Sequence, residues 1–325
     1  MNKFLCLLIL CAVSLYGQKF ISPMNKQELD LEKTFVQRWA WYSICDFAHA
    51  NNEDWGGTAT FKNATAFNPE DVFPGSLVFV TLYGMRKFFA EVHPKIKNPY
   101  IIVSFAYDPE IPELMRGWLK DPKIIAWFGM SPEAIDSEKF HRIPLGIVRE
   151  PYLFDSRNRI NNFFEELRTI SKINQVYVNF TIHEGRGAET EFRRNIYNIL
   201  KKKPFSVMGP KRSFLDFMRD MAHYQFVASP TGDMDDCHRH WEALLAGCVP
   251  ILYSTPMDEL FDDLPVIIVK DYNDLTTEFL NNKYEEFHHK KFNLEKLYMQ
   301  YWVDKIYDCR DKFLAEQASL EKRKS

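Results

Sequence analysis

The chain has 325 residues, 46% of them apolar, enough for one or two sizeable cores. Its 41 basic and 44 acidic residues leave a net charge of −3, so the charge balance does not point to nucleic acid or an anionic membrane as partner. It contains no Gly-x-Ser-x-Gly elbow, Walker loop, His-Glu-x-x-His or dinucleotide Gly-x-Gly-x-x-Gly, which argues against the common hydrolase, phosphotransferase and nicotinamide chemistries.

In chain order, Lys3 precedes an apolar run over 4–13, and small residues follow at Ala12, Ser14 and Gly17. This pattern reads as a signal peptide over 1–17. The run is shorter than the ~20 residues of a bilayer-spanning helix, so no stable transmembrane span is expected after cleavage; a retained anchor is the alternative. Cleavage removes Cys6 and Cys11. The remaining Cys45, Cys237, Cys248 and Cys309 permit disulfides without fixing their pairing, and match no zinc spacing. Asn63 and Asn179 head glycosylation sequons, Asn63 being the better placed because Asn179 falls in a predicted strand. The region 18–73 is aromatic-rich, with Trp39, Trp41, Phe47 and Trp55 expected mostly in the core.

From residue 75 onward apolar runs alternate with helix-period segments. Strands are predicted over 76–82, 100–105, 123–128 and 143–148, with helices over 85–92 and 112–119. After a break at 150–155 and a helix over 160–171, the alternation restarts. Strands over 175–180, 205–208, 225–229, 249–253 and 264–269 are joined by helices over 189–202, 213–222, 238–246 and 273–281. The basic runs 201–203 and 322–324 read as solvated helix ends, 288–291 as a solvated turn, and 294–322 as a polar-ended helix. Such βα units predict mostly parallel sheets in two α/β halves. The expected divisions are an N-terminal domain over 18–155, a second domain over 156–290 and a C-terminal helix over 291–325.

The stretch 226–253 carries the chemical signal. It reads strand, loop, helix, tight turn, strand. Pro230 and Gly232 end the strand, Asp235 or Asp236 can cap the helix starting near His238, and Gly247 sits where a left-handed cap is needed. At 100° per residue, Trp241, Leu244, Leu245 and Cys248 fall on a core-facing stripe. Arg239, Glu242, Ala243 and Ala246 fall opposite, so the charged pair is expected to project away from the sheet with room left beside it by the alanines. The loop follows the carboxyl end of a strand and leads into a helix N-terminus, the place where open α/β sheets bind ligands and where free N–H groups favour phosphate.

The matched positions are Pro230, Gly232, Arg239, Glu242-Ala243-Leu244 and Gly247-Cys248-Val249-Pro250-Ile251. This stretch resembles the signature of exostosin-like glycosyltransferases. The resemblance extends more thinly through 261–269 and, for a related group, over about 75–285, carried by 123–129, 143–147, 176–180 and 237–242. It implies an α/β fold of two Rossmann-like domains in a GT-B-like arrangement with a reduced N-terminal domain. It also implies a nucleotide-sugar donor, UDP-linked in the family, metal-independent chemistry with no cofactor, and a glycan or glycoprotein acceptor in the secretory pathway. Gly232, Asp236, His238, Arg239, Glu242 and Arg193 are the expected donor-binding residues, with Arg239 and His238 at the diphosphate and Glu242 at the ribose. The loop departs from the family pattern at Met234, where the related group has a glycine.

Asp108, after the strand at 100–105, is the candidate general base, with Glu110 and Glu113 nearby. Asp233 and Asp235 imitate an Asp-x-Asp metal motif, but the flanking sequence matches the metal-independent fold better. Arg186 and Arg194 stand with Arg193 after the 175–180 strand. The rival function is a non-catalytic glycan-binding or interaction protein on the same scaffold, secreted rather than retained in the endoplasmic reticulum or Golgi lumen.

Overall fold

The computed structural model describes residues 30–49, 67–81, 84–105, 111–130, 135–148, 157–182, 188–232 and 234–324. The expected signal peptide, Trp55, Asn63, Asp108, Glu110, Arg186 and Asp233 lie outside these residues. Among the described residues no helix is long and apolar enough to cross a membrane.

A short helix, α1 (Arg38–Ser43), leads into β1 (Phe47–His49), β2 (Ser76–Thr81), β3 (Tyr100–Phe105), β4 (Ile124–Gly129) and β5 (Phe140–Arg142). These five strands are all parallel and lie in the order β1-β2-β3-β4-β5. A helix beginning at α2 (Met85–Lys87) and tightening from π to 3-10 turns by Lys95 connects β2 to β3, and α3 (Ile111–Trp118) connects β3 to β4.

After α4 (Arg157–Thr169), a second parallel sheet contains β6 (Ile173–Val178), β7 (Ser206–Met208), β8 (Tyr224–Ala228), β9 (Val249–Tyr253) and β10 (Ile267–Val269). Its order is β7-β6-β8-β9-β10. Helices α5 (Ala188–Leu200), α6 (Phe214–Ala222), α7 (His238–Leu245) and α8 (Thr277–His289) alternate with these strands, and α9 (Met299–Lys324) ends the chain. These are two Rossmann-like α/β halves, each built on a five-stranded parallel sheet.

Strand periodicity explains how the halves meet. Leu77, Phe79, Ile101, Val103 and Phe128 point to one face of the first sheet, and Tyr177, Val227 and Leu252 to one face of the second. Both faces share one continuous core, to which Trp41 and Trp241 also belong. The opposite faces have separate cores, around Val78, Ile102 and Trp127 in the first sheet and Val176, Phe226 and Ile251 in the second. The C-terminal helix closes the circuit: Trp302, Val303 and Ile306 of α9 are buried in the shared core, and Met299 N–H donates to the Thr34 carbonyl at 2.8 Å.

Several expectations need correction. Residues 143–148 form no strand: Pro144 lacks an N–H, Gly146 takes φ +70°, and the short β5 precedes them. The segment makes only an isolated bridge, between Ile147 and Gln37. The helix expected over 273–281 is a 3-10 turn at Tyr272–Asp274 followed by α8, because Thr276 accepts from Phe279 N–H and starts the helix there. His288 and His289 end α8 rather than forming a turn. Cys45, Cys237, Cys248 and Cys309 are all free thiols. In the Asn179 sequon the amide nitrogen already donates to Tyr177 Oη and the Pro210 carbonyl, both at 2.9 Å.

Candidate functional site

The second sheet reverses its direction of winding between β6 and β8, because β7 lies outside β6 while β9 and β10 continue from β8. Ligands of open parallel sheets bind at the carboxyl ends of the strands flanking such a reversal. A cavity of ≈ 920 Å³ lies there, lined by Thr181 after β6, Gly232 after β8, the first turn of α7, and Leu145 and Val148 from the N-terminal half.

The loop from β8 to α7 is fixed by its polar side chains. Buried His240 approaches the Asp235 carbonyl through Nε2 at 3.3 Å, so Nε2 carries the proton. Nδ1 is then the acceptor, and the Ser229 hydroxyl donates to it at 2.7 Å. Burial drives the imidazole pKa down to about 3 and keeps the ring neutral. This pair was not anticipated from the sequence, where a Ser and a His eleven residues apart carry no recognisable pattern.

Asp236 is 1% exposed and accepts from Leu145 N–H at 2.7 Å and Trp241 Nε1–H at 2.8 Å. Burial raises its carboxyl to about 7, against the pull of these donors. Neither Asp235 nor Asp236 caps α7: the N-cap is Cys237, without a side-chain hydrogen bond, because the Asp236 carboxyl is directed to Leu145 and Trp241. The other end is as expected. Gly247 has φ +73°, its N–H donates to the Leu244 carbonyl at 3.0 Å, and Cys248 N–H reaches Ala243 at 2.8 Å, a Schellman closure.

Helix α7 is buried on two sides, which corrects the amphipathic reading. Trp241 and Leu245 face the shared core, yet Ala243, Ala246 and Glu242 are buried as well. The alanines are packed and leave no free space. The Arg239–Glu242 pair does not project together into solvent. Glu242 Oε1 turns to the N-terminal half and accepts from Val148 N–H at 3.2 Å, while Arg239 lines the cavity. His238 Nδ1 donates to the Gly146 carbonyl at 2.7 Å. Asp236, His238 and Glu242 thus grip the backbone of 145–148.

Arg193, on α5, is 7% exposed and spans the winding reversal. Its Nε donates to the Thr231 carbonyl at 2.7 Å and its Nη1 to the Thr181 carbonyl at 2.9 Å. A Cβ on Gly232 would fall 2.6 Å from Nη2, so the glycine leaves room for this guanidinium. Arg194 is exposed on the same helix.

Arg239 is half-buried beside the ring of Phe217, 5.9 Å from its centroid. Its Nε is buried without a hydrogen-bond partner, and among the described residues no carboxylate lies within ion-pair distance. Burial lowers its pKa from the ordinary guanidinium value; the nearby Cys237 and Glu242 oppose this shift and Arg193 adds to it. Lys211 and Arg212 line the cavity as well. They follow the carboxyl end of β7, so the strand-end rule that singled out the β8 loop applies to them too. Among the described residues no group of three His, Cys, Asp or Glu side chains is placed to hold a metal ion.

Fold and site define a two-sheet parallel α/β protein with a cationic cavity at a switch point. Neither a protein-family model nor a curated protein matches the chain. Among solved structures the chain is similar to a UDP-GlcNAc 2-epimerase from Methanocaldococcus jannaschii, at 16% identity over 67% of this chain and 71% of that chain, with a TM-score of 0.33.

Proposed function

We propose that the protein binds a nucleoside-diphosphate sugar in the cavity between β6 and β8 and transfers the sugar to a glycan or glycoprotein acceptor in the secretory pathway. The observation that carries this reading is Arg239: a guanidinium with no carboxylate partner among the described residues, facing a cavity at the start of α7. A half-buried cation without a direct ion-pair partner is costly, and a bound anion relieves that cost. The helix N-terminus adds aligned N–H donors, which suits a diphosphate.

In the transfer, the bond from the anomeric carbon to the diphosphate oxygen breaks and its electron pair leaves with the diphosphate. The acceptor oxygen bonds to the anomeric carbon and gives its proton to a base, a role proposed for Asp108. Arg239 stabilises the charge growing on the leaving group. Arg193 holds the two loops that form the cavity floor, and Gly232 admits its guanidinium between them.

The test is thermal stabilisation of the purified protein by UDP, GDP, ADP and CDP, each with and without Mn²⁺. Stabilisation by one nucleotide, lost in Arg239→Ala, supports the donor site, and a Mn²⁺ requirement would bring Asp233 and Asp235 in as ligands. No response to any of the four overturns it. One observation favours the rival, a non-catalytic glycan-binding protein: Asp236, His238 and Glu242 are already engaged with the backbone of 145–148. Absence of nucleotide binding together with glycan binding would favour that reading.

A further inference from the structure

A second, smaller cleft of ≈ 270 Å³ adjoins the main cavity, and the two share Gly209 and Arg212 in their walls. Its volume is below the range of pockets for drug-sized ligands, so it suits a single ring. One wall is aromatic: Tyr177 of β6 and Tyr224 of β8 stack with centroids 5.0 Å apart and planes 20° apart. Tyr177 is buried and Tyr224 is half-buried, leaving part of the second ring accessible. Arg212 and Asp220 also line the cleft: Arg212 Nε donates to Asp220 Oδ2 at 2.9 Å, and both side chains remain partly exposed.

We propose that this cleft is a carbohydrate subsite that takes one pyranose ring of a glycan. Three features support that chemistry over a second phosphate. The Arg212–Asp220 pair is neutral overall, whereas Arg239 in the main cavity has no carboxylate within ion-pair distance among the described residues; a neutral polyhydroxyl ligand matches the former. The pair also places a fork of N–H donors beside a carboxylate acceptor, which fits adjacent hydroxyls that each donate and accept. Tyr224 offers an amphipathic ring against which the C–H face of a sugar can lie.

The wall is preorganised. Asn179 Nδ2 donates to both Tyr177 Oη and the Pro210 carbonyl, and Gly209 N–H donates to the Val178 carbonyl at 2.9 Å. A Cβ at Gly209 would fall 2.4 Å from Tyr177 Oη, so the loop after β7 runs directly against this ring. An aromatic row joins the cleft to the anion site: Arg239 lies over Phe217, whose centroid is 6.2 Å from that of Tyr177. The subsite stands independently of whether the main cavity takes a nucleotide.

The test is saturation-transfer difference NMR on the full chain, using the methyl glycosides of glucose, galactose, mannose and N-acetylglucosamine, without nucleotide. The expected result is transfer to at least one glycoside. Its affinity should fall on the order of tenfold in Asp220→Asn and in Arg212→Gln, and be unchanged in Arg239→Ala. The first two variants alter partly exposed side chains, and if one fails to fold the other decides. No transfer to any of the four, affinity unaffected in the folded variants, or equal loss in Arg239→Ala each overturns the proposal.

Discussion

His238 donates from Nδ1 to the carbonyl of Gly146, 2.7 Å away in space and 92 residues earlier in sequence. The same stretch is held on either side of this contact, by Asp236 on Leu145 N–H and by Glu242 on Val148 N–H. The first turns of α7 therefore serve as the fastening between the two halves and, in the proposed function, as the anion site.

If this fastening matters to the fold, Glu242→Ala should lower stability by about 1–3 kcal/mol, because it leaves Val148 N–H without its carboxylate acceptor. Glu242→Gln keeps an acceptor oxygen and should lose less than half as much. Urea denaturation of the two variants measures the difference, and equal losses would show that the hydrogen bond is not the source.

Arg239→Met should separate stability from binding. Replacing a half-buried guanidinium that has no carboxylate partner among the described residues by an apolar chain of similar reach should leave the melting temperature unchanged or raise it. Nucleoside-diphosphate affinity should fall about 10- to 100-fold, the worth of hydrogen bonds to a charged group. Calorimetry on the wild type and variant reports both quantities; a marked drop in melting temperature would mean that Arg239 is structural.

Two buried groups oppose each other in pH dependence. Asp236 rises from 3.8 to about 7 on folding, so the native state holds the extra proton and stability from this group falls as pH rises across that window. His240 drops from 6.5 to about 3, so the unfolded state holds the extra proton and stability from this group rises with pH over that interval. Between about pH 4 and 6.5 the two slopes, each up to about 1.4 kcal/mol per pH unit, largely cancel. Relative to wild type, Asp236→Asn should therefore gain stability with rising pH, and His240→Gln should lose it. Denaturation of all three proteins near pH 4.5 and 6.5 tests the signs.

Gly146→Ala should be among the most damaging substitutions. The backbone there has φ +70°, costing roughly 1–2 kcal/mol for a residue with a Cβ. That Cβ would also lie 2.0 Å from the Val36 carbonyl oxygen. A large fall in melting temperature or in soluble yield is expected, and near-wild-type stability would refute this backbone path.

The sequence by itself determined where most of the strands run and which of their faces are apolar, though not β1 or β5. The apolar runs at 100–105 and 249–253 became β3 and β9 without a change of boundary, and Gly247 was legible as a cap because only a few residues adopt positive φ at low cost. The Trp241 stripe was legible too, since helical period reports that a face is buried. Period does not report what lies against the other face. Only the tertiary structure buried Ala243 and Ala246 in the shared core along with Trp241, turned Glu242 to the Val148 N–H, made 143–148 an irregular segment instead of a strand, and set Arg193 across two loops. Those outcomes rest on side chains meeting backbone groups up to 94 residues away, as Glu242 meets Val148. Local propensity contains no term for such contacts; chain topology brings the groups together, and the cost of burying them unpaired holds them there.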